Sequence, residues 1–301
     1  MNFLLVLGSQ KCGTTWLGSS LSRHPQYFAV LKEWRALLAL NKAFLKKTGE
    51  FDGLELPLST RKISQADFMN LSKKDKREFL SANFKNYFSV AVSAFEWRKK
   101  ADIEIKAVGD ITGANGLADE DFLRFYKVAA EGVGLKIKPV YLMRDPVTRH
   151  FSAVRMRFAN RVLGKEAVLE NSFSTEKYSK ALNKFCLESL AVNWYDKRAS
   201  YQNIVPKLER VFGQEKILFS FSENMREPES INRFTDFLEI DRLQYSHDKK
   251  SVERAFNIGL LKYEFPEEVK NEVYRHYSCV YSFVRKRFEG DVPRNWTSGD
   301  N

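Results

Sequence analysis

Cysteine is scarce in this 301-residue chain. Cys12, Cys186 and Cys279 are an odd number, widely spaced, and neither build a disulfide framework nor show metal-ligand spacing. Histidine is nearly as rare, with only His24, His150, His247 and His276. No apolar run approaches the ~18 residues of a membrane span. The opening run Phe3–Leu7 passes straight into Gly8-Ser9-Gln10-Lys11, too short for the apolar stretch of a signal peptide. A cytoplasmic, reduced protein is therefore expected. There is no internal repeat, low-complexity tract or Pro/Gly/Ser-rich linker, so one domain over residues 1–301 is expected. Intrinsic disorder is excluded, because 44% of the residues are hydrophobic and 24 are Phe.

Acidic residues are also in deficit, 38 against 49 Lys and Arg, a net charge of +11. Residues 61–100 carry a net +6 and residues 144–165 a net +5, so the remainder is balanced. Such concentrations imply an anionic partner or, for the first window, merely a solvated helix face.

The hydrophobic pattern alternates strands with helices. Continuous apolar runs at Phe3–Leu7, Ile105–Val108, Ile137–Met143 and Ile217–Phe221 read as buried strands. Helices are expected over Thr14–Ser22, Glu33–Lys47, 64–97, Phe122–Ala130, Pro146–Val162, 175–200, 201–212, 228–239 and Pro266–Arg287. This order predicts an α/β fold, three layers α/β/α around a central parallel sheet, P-loop-like, with helical insertions. Gly8–Thr15, Gly109–Thr112 and Arg144–Arg149 all leave carboxyl ends of strands, where ligands of such sheets bind.

Gly8-Ser9-Gln10-Lys11-Cys12-Gly13-Thr14-Thr15-Trp16 joins the first strand to the first helix. Its glycines allow a sharp turn, and the helix N-terminus favours a phosphate or sulfate. The spacing from Gly8 to Gly13 matches a Walker A loop, and Thr15 matches its Ser/Thr. The lysine does not: Walker A requires it where this chain has Thr14, and Lys11 lies three residues earlier. An anion cradle survives this mismatch better than an ATPase does.

Lys11-Cys12-Gly13-Thr14-Thr15-Trp16 resembles the K-x-G-T-T-W loop of sulfotransferases that use 3′-phosphoadenosine-5′-phosphosulfate (PAPS). Tyr141-Leu142-Met143-Arg144-Asp145-Pro146 through Ser152 resembles the strand–R-D-P–helix element of the same family. The resemblance implies that Lys11, Cys12, Gly13, Thr14 and Thr15 hold the 5′-phosphosulfate and that Trp16 stacks on the adenine. It implies that Arg144 and Ser152 bind the 3′-phosphate, chemistry suited to an Arg fork and a hydroxyl. Read without the resemblance, Arg149 could equally pair with Asp145 one helical turn away. Weaker echoes carry the likeness over residues 3–240.

The resemblance further implies in-line transfer of a sulfuryl group to an acceptor hydroxyl, with adenosine 3′,5′-bisphosphate as product and no metal. Lys11 would neutralise the leaving oxygen. No His stands directly after Gly109, so the chain is more similar to the carbohydrate and tyrosyl-protein branch, which uses a Glu base. Glu33 is in the matching position, after Lys32, with Asp110 as second candidate. The family's second lysine is Ile111 here, and Lys32 is a candidate substitute. Lys249, Lys250, Ser251 and Arg254 are candidates to close over the 3′-phosphate.

The basic, aromatic-rich segment 34–100 is the expected substrate lid, suited to a carbohydrate or anionic acceptor, although aromatic stripes at helical spacing usually pack in cores. Two other classes stay open: a P-loop kinase or NTPase with Asp110 on Mg²⁺, and a non-enzymatic polyanion binder. The loop and R-D-P motifs argue against a nucleic-acid partner.

Overall fold

The computed structural model describes residues 1–31, 33–47, 64–97, 104–163, 175–226, 230–242 and 263–296. Five parallel strands form one sheet: β1 (Asn2–Gly8), β2 (Tyr27–Phe28), β3 (Ala107–Asp110), β4 (Lys136–Met143) and β5 (Leu218–Phe221), in the order β2-β3-β1-β4-β5. β1 is central, pairing Phe3 with Val108 on one side and with Ile137 on the other. All seven of its residues are buried, as expected of a strand covered on both faces.

The pleat of β1 sends alternate residues into two cores. Leu4 and Val6 meet α1 (Thr14–Leu21) through Trp16, Leu17 and Leu21, and α11 (Ser230–Phe237) through Ile231 and Phe234. Phe3, Leu5 and Leu7 face a larger core. That core is built by α2 (Leu37–Lys47), α5 (Phe84–Glu96), α6 (Glu120–Gly132), α7 (Pro146–Phe158), α10 (Tyr201–Phe212) and α13 (Ser278–Arg287). The result is the expected three-layer α/β/α arrangement around a parallel sheet. Each large side chain buried this way contributes roughly 1.5–3 kcal/mol. Gly109 permits the closest strand approach, since a Cβ there would lie 2.6 Å from the Leu4 Cβ.

Several expected helices are divided. The 64–97 stretch is α3 (Gln65–Met69), α4 (Lys73–Ala82) and α5, each started by a polar cap: Ser64, Ser72 and Asn83 accept from Asp67, Asp75 and Asn86 amides. Residues 175–200 form α8 (Thr175–Ser189) and α9 (Asn193–Ala199), and the last helix is α12 (Glu267–His276) and α13, parted at the buried Tyr277. The helix expected from Glu33 begins only at Leu37. Arg35 has a left-handed backbone (φ 58°), and the Trp34 and Arg35 amides donate to Asp110 Oδ1 and Thr112 Oγ1. Tertiary hydrogen bonds outweigh helix propensity there.

The aromatic part of the expected lid is core wall. Tyr87 and Phe88 are fully buried and Phe95 nearly so, and Tyr87 packs on Phe3 of the central strand. Residues 48–63 and 98–103 lie outside the described residues. Among the described residues no helix is long and apolar enough to cross a membrane.

Candidate active site

The carboxyl edge of the sheet brings three segments together. The loop after β1 turns through Lys11 (φ 72°) and Gly13 (φ 89°), both left-handed, before α1 begins. No side chain caps α1, so its first amides and its positive dipole end are left to a ligand. Ser9 anchors the loop, its amide donating to the Leu142 carbonyl at 2.7 Å and its hydroxyl to the Arg198 carbonyl at 2.5 Å. The turn after β3 abuts the loop, and a Cβ on Gly113 would sit 3.3 Å from Gln10. Through Thr112 that turn also holds the Trp34–Arg35 segment.

The second wall is α7. Asp145 caps it, accepting from the Thr148 amide at 2.7 Å and from the Tyr281 hydroxyl, and Pro146 fills the first turn. Thr148, Ser152 and Arg155 then share a face by helical spacing. Arg144, at the head of this wall, donates from Nε to Thr148 Oγ1 and from Nη1 to the Lys11 carbonyl, each at 3.2 Å. The Ser152 hydroxyl has no partner among the described residues and is half-buried.

These contacts concentrate positive charge. Burial foremost, then Arg144 and Arg155, pulls the Lys11 ammonium below its ordinary pKa. Arg155 is likewise lowered by burial and by Arg144. Lys11 Nζ rests 3.9 Å from Met156 Sδ, and Arg155 Nη1 donates to the Tyr263 carbonyl at 2.6 Å. Among the described residues Lys11, Arg144 and Arg155 have no carboxylate partner, whereas surface arginines such as Arg124, Arg210 and Arg242 are paired. Mutually repelling cations around an open helix N-terminus are a site for a multiply charged anion. A cavity of about 470 Å³, lined by Phe151, Arg155, Tyr263 and Phe265, opens beside it.

Behind the loop lies Arg149, fully buried. Its Nη2 donates to the Tyr195 carbonyl at 2.9 Å, while Nε and Nη1 have no hydrogen-bond partner. Pairing with Asp145 does not occur, because that carboxylate is occupied by Thr148 and Tyr281. Cys12 is buried against Gln10 and Tyr201, burial pushes its thiol up to about 11, and its amide donates to the Ser9 carbonyl at 3.2 Å.

Trp16 and Asp110 are deeply buried, and Glu33 lies outside the helix expected there. Trp16 is 8% exposed and packs between the sheet and α11. Asp110 is fully buried and its carboxylate is consumed by four donors: the Trp34 amide, Thr112 and Tyr87 hydroxyls and the Asn115 amide group. Burial still pushes it up to about 6, but with no open face it ties strand exits together and has no route to an acceptor proton. Glu33 is outside any helix, half-buried, and its Oε2 accepts from Arg35 Nε at 2.7 Å. Thr14 is buried at the start of α1 and Thr15 half-buried beside it. Lys32, Lys249, Lys250, Ser251 and Arg254 lie outside the described residues.

Two contributors escaped the sequence reading. Arg155 was inside the basic 144–165 window, and counting one turn on from Ser152 would have found it. Tyr201, whose hydroxyl holds the Arg144 backbone, carries no local signal at all.

A parallel sheet with an anion cradle after its first strand defines a class, the P-loop-like α/β proteins that handle phosphate or sulfate esters. Within it the chain belongs to the sulfotransferase family: the sulfotransferase domain model matches residues 2–257. It is an enzyme of sulfuryl transfer. Its fold is similar to that of a sulfotransferase from Alicyclobacillus acidocaldarius, at 15% identity over 98% of each chain and a TM-score of 0.55. A sulfotransferase domain from the Synechococcus PCC 7002 olefin synthase aligns at 14% identity over 97% of this chain and 96% of that one, with a TM-score of 0.42. Among curated proteins none matches the chain.

Proposed function

We propose that the enzyme takes its sulfuryl group from PAPS and passes it to an acceptor hydroxyl, on a carbohydrate or another small alcohol, with Glu33 as general base. The observation that carries this reading is the meeting of Lys11, Arg144 and Arg155, without a carboxylate partner among the described residues, around the uncapped start of α1. Sulfotransferases generally use PAPS, and a donor that carries phosphate on both its 3′ and 5′ positions suits a cluster of cations.

The donor, when bound, supplies an activated sulfuryl group on a phosphate leaving group. The amides from Gly13 to Thr15 and the Thr14 and Thr15 hydroxyls hold the phosphate end. Arg144, Ser152 and Arg155 hold the other phosphate, with the Arg forks giving orientation as well as charge. Lys11 keeps a proton at Nζ and neutralises the oxygen that leaves. Glu33 takes the acceptor proton at its carboxylate, released from Arg35 as the acceptor docks. Such transfers depend on positioning and electrostatics more than on covalent catalysis.

Calorimetry with adenosine 3′,5′-bisphosphate tests the reading. Binding without metal, lost in Lys11→Ala together with turnover of labelled PAPS, is expected. A protein that ignores this nucleotide but binds ATP with Mg²⁺ would be a kinase or NTPase instead.

A further inference from the structure

A second group of cations beside the loop is left unused by the donor. Over the indole of Trp194, on α9, lie two guanidiniums, the Arg157 Cζ 4.3 Å and the Arg198 Cζ 4.2 Å from the ring centre. Arg157 also lies over the Tyr195 ring at 5.6 Å. Arg198 spends Nη1 on the Trp194 carbonyl at 2.9 Å, and its Nε is buried with no partner. Neither arginine has a carboxylate partner among the described residues. Burial foremost, then Arg149 and Arg157, lowers the Arg198 guanidinium to about 10.

The pair flanks the loop itself. The Arg198 carbonyl receives the Ser9 hydroxyl at 2.5 Å, and Arg157 follows Met156, whose sulfur touches Lys11. Yet Arg157 stands two residues beyond Arg155, about half a turn around α7, and so faces α9 rather than the Ser152 wall. It cannot share the donor's phosphate with Arg155. Arg157, Trp194 and Arg198 are each half-buried, open to a solvent-borne group. Stacking on one ring orders the two guanidiniums and holds like charges close, an arrangement that an oxyanion with several acceptor oxygens relieves.

We propose that Arg157 and Arg198, arrayed on Trp194, form a second oxyanion subsite that holds a carboxylate, sulfate or phosphate group of the acceptor. This deepens the reading above and rests on it: the acceptor then carries its hydroxyl at the loop and a fixed negative charge displaced toward α9.

The test separates the two claims. The protein is saturated with adenosine 3′,5′-bisphosphate and titrated with inorganic sulfate at constant ionic strength, followed by calorimetry and melting temperature. Saturable sulfate binding is expected in the wild type, weakened at least five-fold in the Arg157→Gln/Arg198→Gln double variant and partly kept in the Arg157→Lys/Arg198→Lys variant. The nucleotide Kd should stay within two-fold throughout, which also shows that the variants are folded. Absence of sulfate binding to the nucleotide-filled protein overturns the subsite, as does equal binding by the Gln variant. A parallel loss of nucleotide affinity also overturns it, by assigning both arginines to the donor. Sulfate binding through these arginines without any nucleotide binding would instead overturn the donor reading while leaving the anion subsite standing.

Discussion

The Tyr201 hydroxyl accepts from the Arg144 amide at 3.2 Å and donates to the Arg144 carbonyl at 2.9 Å. Both backbone groups of the residue that follows β4 are thus clamped by one fully buried side chain from α10. The Tyr201→Phe variant keeps the packing and removes the clamp. It should lower stability by about 1 kcal/mol and weaken adenosine 3′,5′-bisphosphate binding several-fold, with little change in kcat at saturating donor. Denaturant melts and calorimetry measure the two effects, and an unaltered nucleotide Kd would show that Arg144 needs no such clamp.

Lys11 gives the site a pH signature. Its pKa lies below the ordinary lysine value, chiefly through burial and then through Arg144 and Arg155. An anionic ligand prefers the protonated form, so nucleotide affinity should fall as pH rises through the lowered Lys11 pKa. Lys11→Arg should remove that alkaline limb, because guanidinium stays charged. Removing a competing cation, in Arg155→Gln, should push the limb to higher pH while weakening binding by roughly ten-fold, the loss of one charge-assisted contact.

The two carboxylates near the cleft should separate cleanly. Glu33→Gln should cut turnover by roughly 10²–10⁴-fold, the usual worth of a general base, with donor affinity preserved. Asp110→Asn should act on the fold, since an amide group facing the Thr112, Tyr87 and Asn115 donors leaves buried groups unpaired. A stability loss of about 1–3 kcal/mol is expected. Turnover abolished at unchanged stability in Asp110→Asn would transfer the base role to that residue.

Arg149 is buried with no carboxylate partner among the described residues, an arrangement normally costly by several kcal/mol. Its field reaches Cys12 in the loop. Arg149→Met should therefore raise the melting temperature of the ligand-free protein while reducing nucleotide affinity. A lowered melting temperature would mean that its hydrogen bond to Tyr195 outweighs the uncompensated charge.

His150 sets an acid limit on stability. Its ring nitrogens meet the Tyr277 and Ser189 hydroxyls at 3.0 and 2.9 Å, and burial, followed by Arg149, lowers it to about 3. Between that value and its ordinary 6.5 the unfolded chain takes a proton that the folded one refuses. Its contribution is full above the ordinary value and is lost as pH falls through this window. His150→Gln should flatten the stability–pH curve there by up to one proton, about 1.4 kcal/mol per pH unit.

Much of this was legible locally. The strand–loop–helix run from Phe3 to Trp16 and the strand–R-D-P–helix run from Tyr141 to Ser152 were read from apolar runs, Gly and Pro, and β1, α1, β4 and α7 lie where those signals placed them. Each rests on forces within a few residues: continuous burial, backbone freedom at glycine, and capping. Divided helices were less legible, because what parts α12 from α13 is Tyr277 turning inward to His150, a partner 127 positions away.

The chain's residue types and spacing by themselves determined that a parallel sheet would carry an anion loop after its first strand and an arginine after a later one. Only the tertiary structure decided which charged groups are free to act. It closed Asp110 inside four donors, turned Trp16 into the core, kept Lys11, Arg144 and Arg155 free of carboxylate partners among the described residues, and laid Arg157 and Arg198 on Trp194. The physical reason is that burial and partner choice depend on neighbours far along the chain, and the reactivity of a charge depends on both.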